Sequence, residues 1–299
     1  MKIIDMHTHA QDILFSGGSD IEPSYGVLIR LFEWQKFNWP APHGKSEDPV
    51  YRLLRKRIAR ETQWRNAMAN ADDLQKEMKE NNVSFSVCHP IEPYGSTQEL
   101  LSHTGKSSCL IPFASVDPRD PKRVERLRTY VEAGCRGLKL HPIIQDFHPE
   151  SKECFEVIEE FSQYNLPILF HSGRTTYYVP ESQAEAFGRL PNYTKIIASF
   201  PKVKFILGHM GMFEARTAIE IAQVFENVYL ETSFQPVRTV RRAVEKVGGD
   251  RVVFGTDWPF GRQRYSLAVA LRLTEGDQWL RDRLLWKNAE ELIGPIPTL

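Results

Sequence analysis

The chain has little that would tie it to a membrane, a nucleic acid or an oxidising compartment. Its 299 residues contain no long uninterrupted apolar run, and a helix that crosses a bilayer needs about 18 or more such residues. Neither charge is in excess: Lys plus Arg and Asp plus Glu are 38 each, so there is no basic field for a nucleic acid or an anionic surface. Cysteine is scarce. Cys88, Cys109, Cys135 and Cys154 form no CxxC pair and no zinc-finger spacing, which excludes a disulfide framework and reads as reduced thiols in a cytoplasmic protein. The opening MKIIDMHTHA has one lysine and a very short apolar stretch, too short for a secretory signal. A glycine-rich phosphate loop after the first β-like run is also missing, which argues against a dinucleotide-binding open sheet. The sequence shows no internal repeat and no low-complexity tract.

What is present is a regular alternation. Eight short β-rich runs recur: Lys2–Met6, Val83–Cys88, Leu110–Val116, Gly137–Leu140, Pro167–Phe170, Lys204–Leu207, Val228–Leu230 and Val252–Phe254. Helical periodicity fills most of the gaps, as in Pro121–Ala133, Lys152–Tyr164, Thr217–Phe225 and Thr239–Val247. Strands alternating with helices imply βαβ units and a parallel sheet. Eight such units imply closure into a (β/α)8 TIM barrel, for which about 250 residues plus insertions suffices. One domain is expected over 1–299, with a long insertion after strand 1, Gln11–Asn70, at the rim. That insertion is rich in aromatics, Trp34 and Trp39 among them, and its Pro49–Ala69 portion reads as a basic helix. Val179–Pro191, after strand 5, reads as a second flap at the rim.

The C-terminal strand ends of such a barrel form its active site. Here they carry His7 and His9, His89, Asp117, Lys139 and His141, His171, His209, Glu231 and Asp257. Six of nine histidines at such ends are hard to explain as unrelated caps; only His43, His103 and His148 lie elsewhere. Residues i and i+2 of a strand share a face, so His7 and His9 point inwards with Thr8 turned away. His171 and Asp257 reach the same centre from strands 5 and 8. Three imidazoles and one carboxylate suit Zn2+, and also Mn2+ or Fe2+. Alternation likewise turns Lys139 and His141 inwards and Leu138 and Leu140 outwards. Buried ionisable groups persist mainly when paired or metal-bound.

The motifs DMHTH (Asp5–His9), GLKLHP (Gly137–Pro142), ILFHSG (Ile168–Gly173), FILGHMG (Phe205–Gly211) and VVFGTDWPFG (Val252–Gly261) stand in this order. In this order they resemble the amidohydrolase superfamily. The likeness is to its amidohydrolase-related branch, which includes aminocarboxymuconate semialdehyde and γ-resorcylate decarboxylases. NAEELIG (Asn288–Gly294) is similar to that family's closing helix. The resemblance implies that His7, His9, His171 and Asp257 hold the metal and that His209 acts in catalysis, or in metal binding where two metals are present. Lys139 is open between three roles: a carbamate bridging two metals, a partner for a substrate carboxylate, and an ion pair with Asp117 or Glu231.

Two reactions fit this set. The first, expected ahead of the other because it is commoner in the superfamily, is hydrolysis of a small amide, lactone or ester through a metal-activated water, with Asp257 as proton acceptor and His209 bonding the developing charge. The alternative is non-oxidative decarboxylation of an unsaturated or aromatic acid. That reaction needs a cation for the carboxylate, for which Arg174, Arg262 and Arg264 are candidates; Lys139 and His141, with Arg174, are expected to bind substrate. A barrel that only binds a ligand would have lost ligands, and here the set is complete. The predicted partner is a small-molecule substrate, not nucleic acid or membrane; a homo-oligomer stays open.

Overall fold

A computed structural model describes residues 1–14, 61–174 and 183–296. All eight predicted strands form: β1 (Ile4–Thr8), β2 (Phe85–Cys88), β3 (Leu110–Pro112), β4 (Leu138–Leu140), β5 (Ile168–Gly173), β6 (Phe205–Met212), β7 (Val228–Glu231) and β8 (Val252–Val253). A helix follows each in turn: α1 (Ala71–Asn81), α2 (Thr97–Thr104), α3 (Arg123–Glu132), α4 (Lys152–Phe161), α5 (Thr194–Ser199), α6 (Ala215–Val224), α7 (Val237–Val247) and α8 (Gln263–Leu273). Then come α9 (Gln278–Asp282) and α10 (Asn288–Ile293). The helices start where side chains satisfy their first amides: Ser96 Oγ accepts from Glu99 N and Ser151 Oγ from Cys154 N. They bury one stripe each, as Val240, Ala243 and Val247 do in α7.

The strands pair in two parallel arcs, β1-β2-β3 and β4-β5-β6-β7-β8. The arcs meet at both edges, where Ala114 bridges Leu138 and Thr8 bridges Trp258. Met6 N donates to Phe254 O (2.9 Å) and Lys139 N to Ala114 O (2.7 Å) across these seams. The fold is the (β/α)8 barrel that the alternation implies. Several strand boundaries differ from the sequence reading: β3 stops at Pro112 rather than Val116, and β5 runs on to Gly173 rather than Phe170. β1 lies two residues further on, and β6 continues to Met212 because its pairing with β5 extends to Gly173. A partner strand, not the local pattern, decides where these strands stop.

Ile4, Met6, Val87, Leu169, Ile206 and Val253 fill the barrel interior together with Ala289, Leu292 and Ile293 of α10. Lys2 Nζ pairs with Glu290 Oε1 at 2.6 Å, which places α10 across the N-terminal end, as the likeness of NAEELIG to a closing helix implies. Strict alternation from Ile4 and Met6 would turn His7 outwards. A β-bulge between Asp5 and Thr8 adds one residue to β1. Met6 and His7 therefore both face inwards, and Thr8 turns out to donate to Val87 O at 2.8 Å.

Of the insertion, 61–67 is helical and docks on the mouth: Asn66 Oδ1 accepts from Ile13 N (2.9 Å) and Arg65 Nη1 donates to Phe260 O (3.1 Å). Trp34, Trp39 and the rest of 15–60 lie outside the described residues, as do 175–182, including the start of the predicted flap. Its described remainder holds the 3-10 turns Gln183–Gly188 and Leu190–Tyr193. Among the described residues no helix is long and apolar enough to cross a membrane, and all four cysteines are free thiols.

Candidate metal centre

The C-terminal strand ends bring His7, His9, Lys139, His141, His171, His209, Glu231 and Asp257 into one cluster in which no member is more than 5% exposed. So many ionisable groups out of water must neutralise one another or hold a counter-ion. Burial, the largest cause, pushes the imidazoles of His7, His141 and His171 well below their ordinary range. It lowers Lys139 to about 8, against the pull of Asp257 and Glu231, and raises Glu231 to about 8, against hydrogen bonds from His209 N, Ser233 N and Ser233 Oγ.

Three atoms at the centre face one another. His7 Nε2 lies 3.3 Å and His9 Nε2 3.1 Å from the same Asp257 Oδ1. The opposite nitrogen of each ring is already committed as a donor: His7 Nδ1 to Glu231 Oε2 (2.9 Å) and His9 Nδ1 to the His89 carbonyl (2.7 Å). When the rings are neutral, both Nε2 atoms are lone pairs aimed at a carboxylate oxygen. Acceptors converging without a hydrogen between them are what a bound cation satisfies. His7, His9 and Asp257 could therefore hold a metal ion.

His171 stands beside this trio rather than in it. Its ring stacks on His141 at 3.9 Å, its Nδ1 is 3.2 Å from His209 Nε2, and Tyr193 OH donates to its carbonyl at 2.6 Å. Its Nε2 is buried with no hydrogen-bond partner, so that atom too is available to a cation. His209 and Asp257 sit at φ 58° and 57°, the left-handed region that ordinary side chains avoid. Such strain costs on the order of 1–3 kcal/mol and clusters at functional sites. Beneath them Asp5, raised by burial to about 7, accepts from Thr256 Oγ1 (2.6 Å), Thr256 N (3.0 Å) and Gln263 Nε2 (3.0 Å), which fastens β1 to the loop that carries Asp257.

Lys139 Nζ donates to His7 Nε2 at 2.9 Å. The pairing with Asp117 considered from sequence does not form: Asp117 takes both Arg119 Nε (3.1 Å) and Nη2 (3.0 Å). Three other candidate cations are held at the rim. Arg174 Nε is 3.6 Å from Glu214 and Arg262 Nη1 3.6 Å from Glu77, while Arg264 lies over Tyr265. His141 Nδ1 accepts from Ile144 N (3.1 Å), so a neutral ring carries its proton on Nε2. Sequence reasoning missed Ser233, which joins His209 to Glu231, and Phe260, whose ring meets His9 edge-on at 5.7 Å. Ser233 had one legible signal, its position two residues after the strand-end Glu231.

The sequence and the fold have counterparts elsewhere. The amidohydrolase family model matches residues 4–294. A γ-resorcylate decarboxylase from Polaromonas sp. is 32% identical over 114 residues, which span 31% of this chain and 35% of that protein. The 5-carboxyvanillate decarboxylase of Sphingomonas paucimobilis has the same fold (TM-score 0.65, 14% identity, 98% of each chain). So does a dihydroxybenzoic acid decarboxylase from Polaromonas sp. with bound manganese and 2-nitroresorcinol (TM-score 0.63, 15% identity, 98% of this chain and 96% of that one). A match that runs from the first strand to the closing helix means that the chain belongs to the amidohydrolase family.

Proposed function

We propose that this protein is a divalent-metal-dependent carboxy-lyase acting on an aromatic or unsaturated carboxylic acid. The observation that carries the choice is Lys139: of the four Lys and Arg side chains considered for a substrate carboxylate, it alone stands in the mouth, beside His7. The relative matched in sequence is a decarboxylase, which supports the same choice. Hydrolysis of a small amide, lactone or ester, expected first from sequence, uses the same residues and becomes the second reading.

His7, His9, His171 and Asp257 would hold the metal; three imidazoles and a carboxylate suit zinc and also manganese, the metal bound in the dihydroxybenzoic acid decarboxylase. When bound, the metal orients substrate oxygens and draws charge from the ring. Lys139 pairs with the carboxylate, and the His141 Nε2–H is a further donor. Asp257 would take a proton from a substrate hydroxyl or from water and give it to the carbon that bears the carboxylate. The C–C bond then breaks, its electron pair restores the π system, and CO2 leaves. His209, with Nδ1 on Ser233 Oγ and Nε2 against His171 Nδ1, serves the site by holding the His171 ring. A panel of hydroxybenzoates and unsaturated acids, assayed for CO2 release before and after chelation, tests this beside a lactone and amide panel. Release that stops on chelation and returns with Zn2+ or Mn2+ is expected. Lactone or amide cleavage without CO2 release would move the assignment to the second reading, and full activity after chelation would sink the metal role.

A further inference from the structure

Glu231 lies at the end of β7, a strand from which no ligand is expected, yet more hydrogen bonds converge on its side chain than on that of any proposed ligand. Its Oε1 accepts from Ser233 N, and its Oε2 from His209 N (2.9 Å), Ser233 Oγ (2.8 Å) and His7 Nδ1 (2.9 Å). Space for it is reserved: a Cβ on Gly255 would stand 2.4 Å from Glu231 Oε1, so only glycine lets the β8 end pass so close.

Two of those donors are backbone amides, which have only a hydrogen to offer. With Glu231 ionised, both oxygens act only as acceptors, and the hydrogens of its neighbours follow in order. The Ser233 hydroxyl has one hydrogen. Given to Glu231, it leaves the oxygen to accept from His209 Nδ1 at 2.6 Å. A neutral His209 protonated at Nδ1 has a lone pair at Nε2, and His171 Nδ1, 3.2 Å away, donates to it. His171 is then left with a lone pair at Nε2, the buried atom without a hydrogen-bond partner. A hydrogen there would be a buried unsatisfied donor, which costs about 1–3 kcal/mol. The second branch is shorter: His7 donates from Nδ1 to Glu231 and keeps its Nε2 lone pair. Lys139, an ammonium with only hydrogens to give, requires that same lone pair from the other side.

We infer that Glu231 is the positioning residue of the centre: directly for His7, and through Ser233 and His209 for His171, it fixes each ring as the Nδ1–H tautomer, so that His7 and His171 present their Nε2 lone pairs to the metal. Its consequence for affinity rests on the metal reading above; the tautomer assignment does not. Outer partners of this kind typically govern metal affinity by about 10–100-fold.

The test uses the full chain, metal-free and labelled with 15N-histidine, with imidazole tautomers read by long-range 15N–1H correlation and Zn2+ affinity by titration calorimetry. Wild type is expected to show Nδ1–H for His7, His209 and His171, the tautomer free histidine disfavours. Ser233→Ala should release His209 and His171 from it, leave His7 unchanged and weaken Zn2+ binding about 10-fold; Ser233→Thr, which keeps the hydroxyl, should restore both. Glu231→Gln should also disturb His7, and if that variant does not fold, the Ser233 pair decides alone. Nε2–H rings at His7 or His171 in wild type overturn the proposal, as does Ser233→Ala with unchanged tautomers. Wild type that takes up no Zn2+, Mn2+ or Fe2+ while its tautomers respond as stated supports the proposal and removes the metal reading instead.

Discussion

The two ends of the barrel are built from the same strands and share almost no chemistry. At the N-terminal end Ile4, Phe85, Ile111 and Val253 pack with Leu292 and Ile293 of α10, and the apolar surface removed from water is the stabilising term. A few residues further along the same strands the inward side chains become His7, Lys139, His171 and Asp257, all buried and costly to desolvate. The closed end is arranged for burial; the mouth keeps polar groups whose cost is met only by mutual hydrogen bonds or a cation. Damage at the two ends should therefore separate stability from chemistry.

The largest effect is expected at the mouth. Asp257→Asn keeps size and one oxygen but cannot give or take the proton, so turnover at saturating metal should fall by ~10²–10⁴-fold with the unfolding transition little changed. Near wild-type turnover under saturating metal would make Asp257 a ligand only and pass the proton to His209. The mirror experiment is Leu292→Ala at the closed end. It should lower unfolding free energy by about 2–5 kcal/mol in urea denaturation and leave kcat/KM of the folded enzyme intact. A loss of kcat/KM there would mean that the two ends are coupled.

The smallest effect sharpens the comparison, because it lies in the loop that backs the mouth rather than among its inward side chains. Glu92 follows β2 and accepts from Tyr130 OH (2.8 Å) and Thr97 N (3.2 Å), while its backbone carbonyl is held by Gln145, whose Oε1 accepts from His141 N at 2.7 Å. Burial is the main cause that raises Glu92 above the ordinary glutamate range. The folded state therefore favours the protonated acid. Its contribution to stability is full at low pH and is lost as pH climbs through the raised pKa. Glu92→Gln stays neutral, so its melting temperature relative to wild type should rise by a few degrees between about pH 4 and about pH 7. A gap that shrinks over that range would show that the bracket prefers the charged form.

Sequence alone determined the barrel, since eight β-rich runs with helices between them leave few other ways to bury both faces of a parallel sheet. It also determined which residues stand at the mouth, because strand ends are local features and HxH, GHMG and GTDW fall on them. Other matters were decided only by tertiary structure. The inward turn of His7 depends on a bulge in pairing with β2, which period-two counting from Met6 contradicts. That Asp117 turns to Arg119 and Lys139 to His7 depends on distances between residues far apart in the chain. The hub at Glu231 joins strand 7 directly to strand 1 through His7, and to strands 6 and 5 through Ser233 and His209. Local pattern fixes which way a side chain points along its own strand; only closure of the ring fixes which atom of another strand it meets.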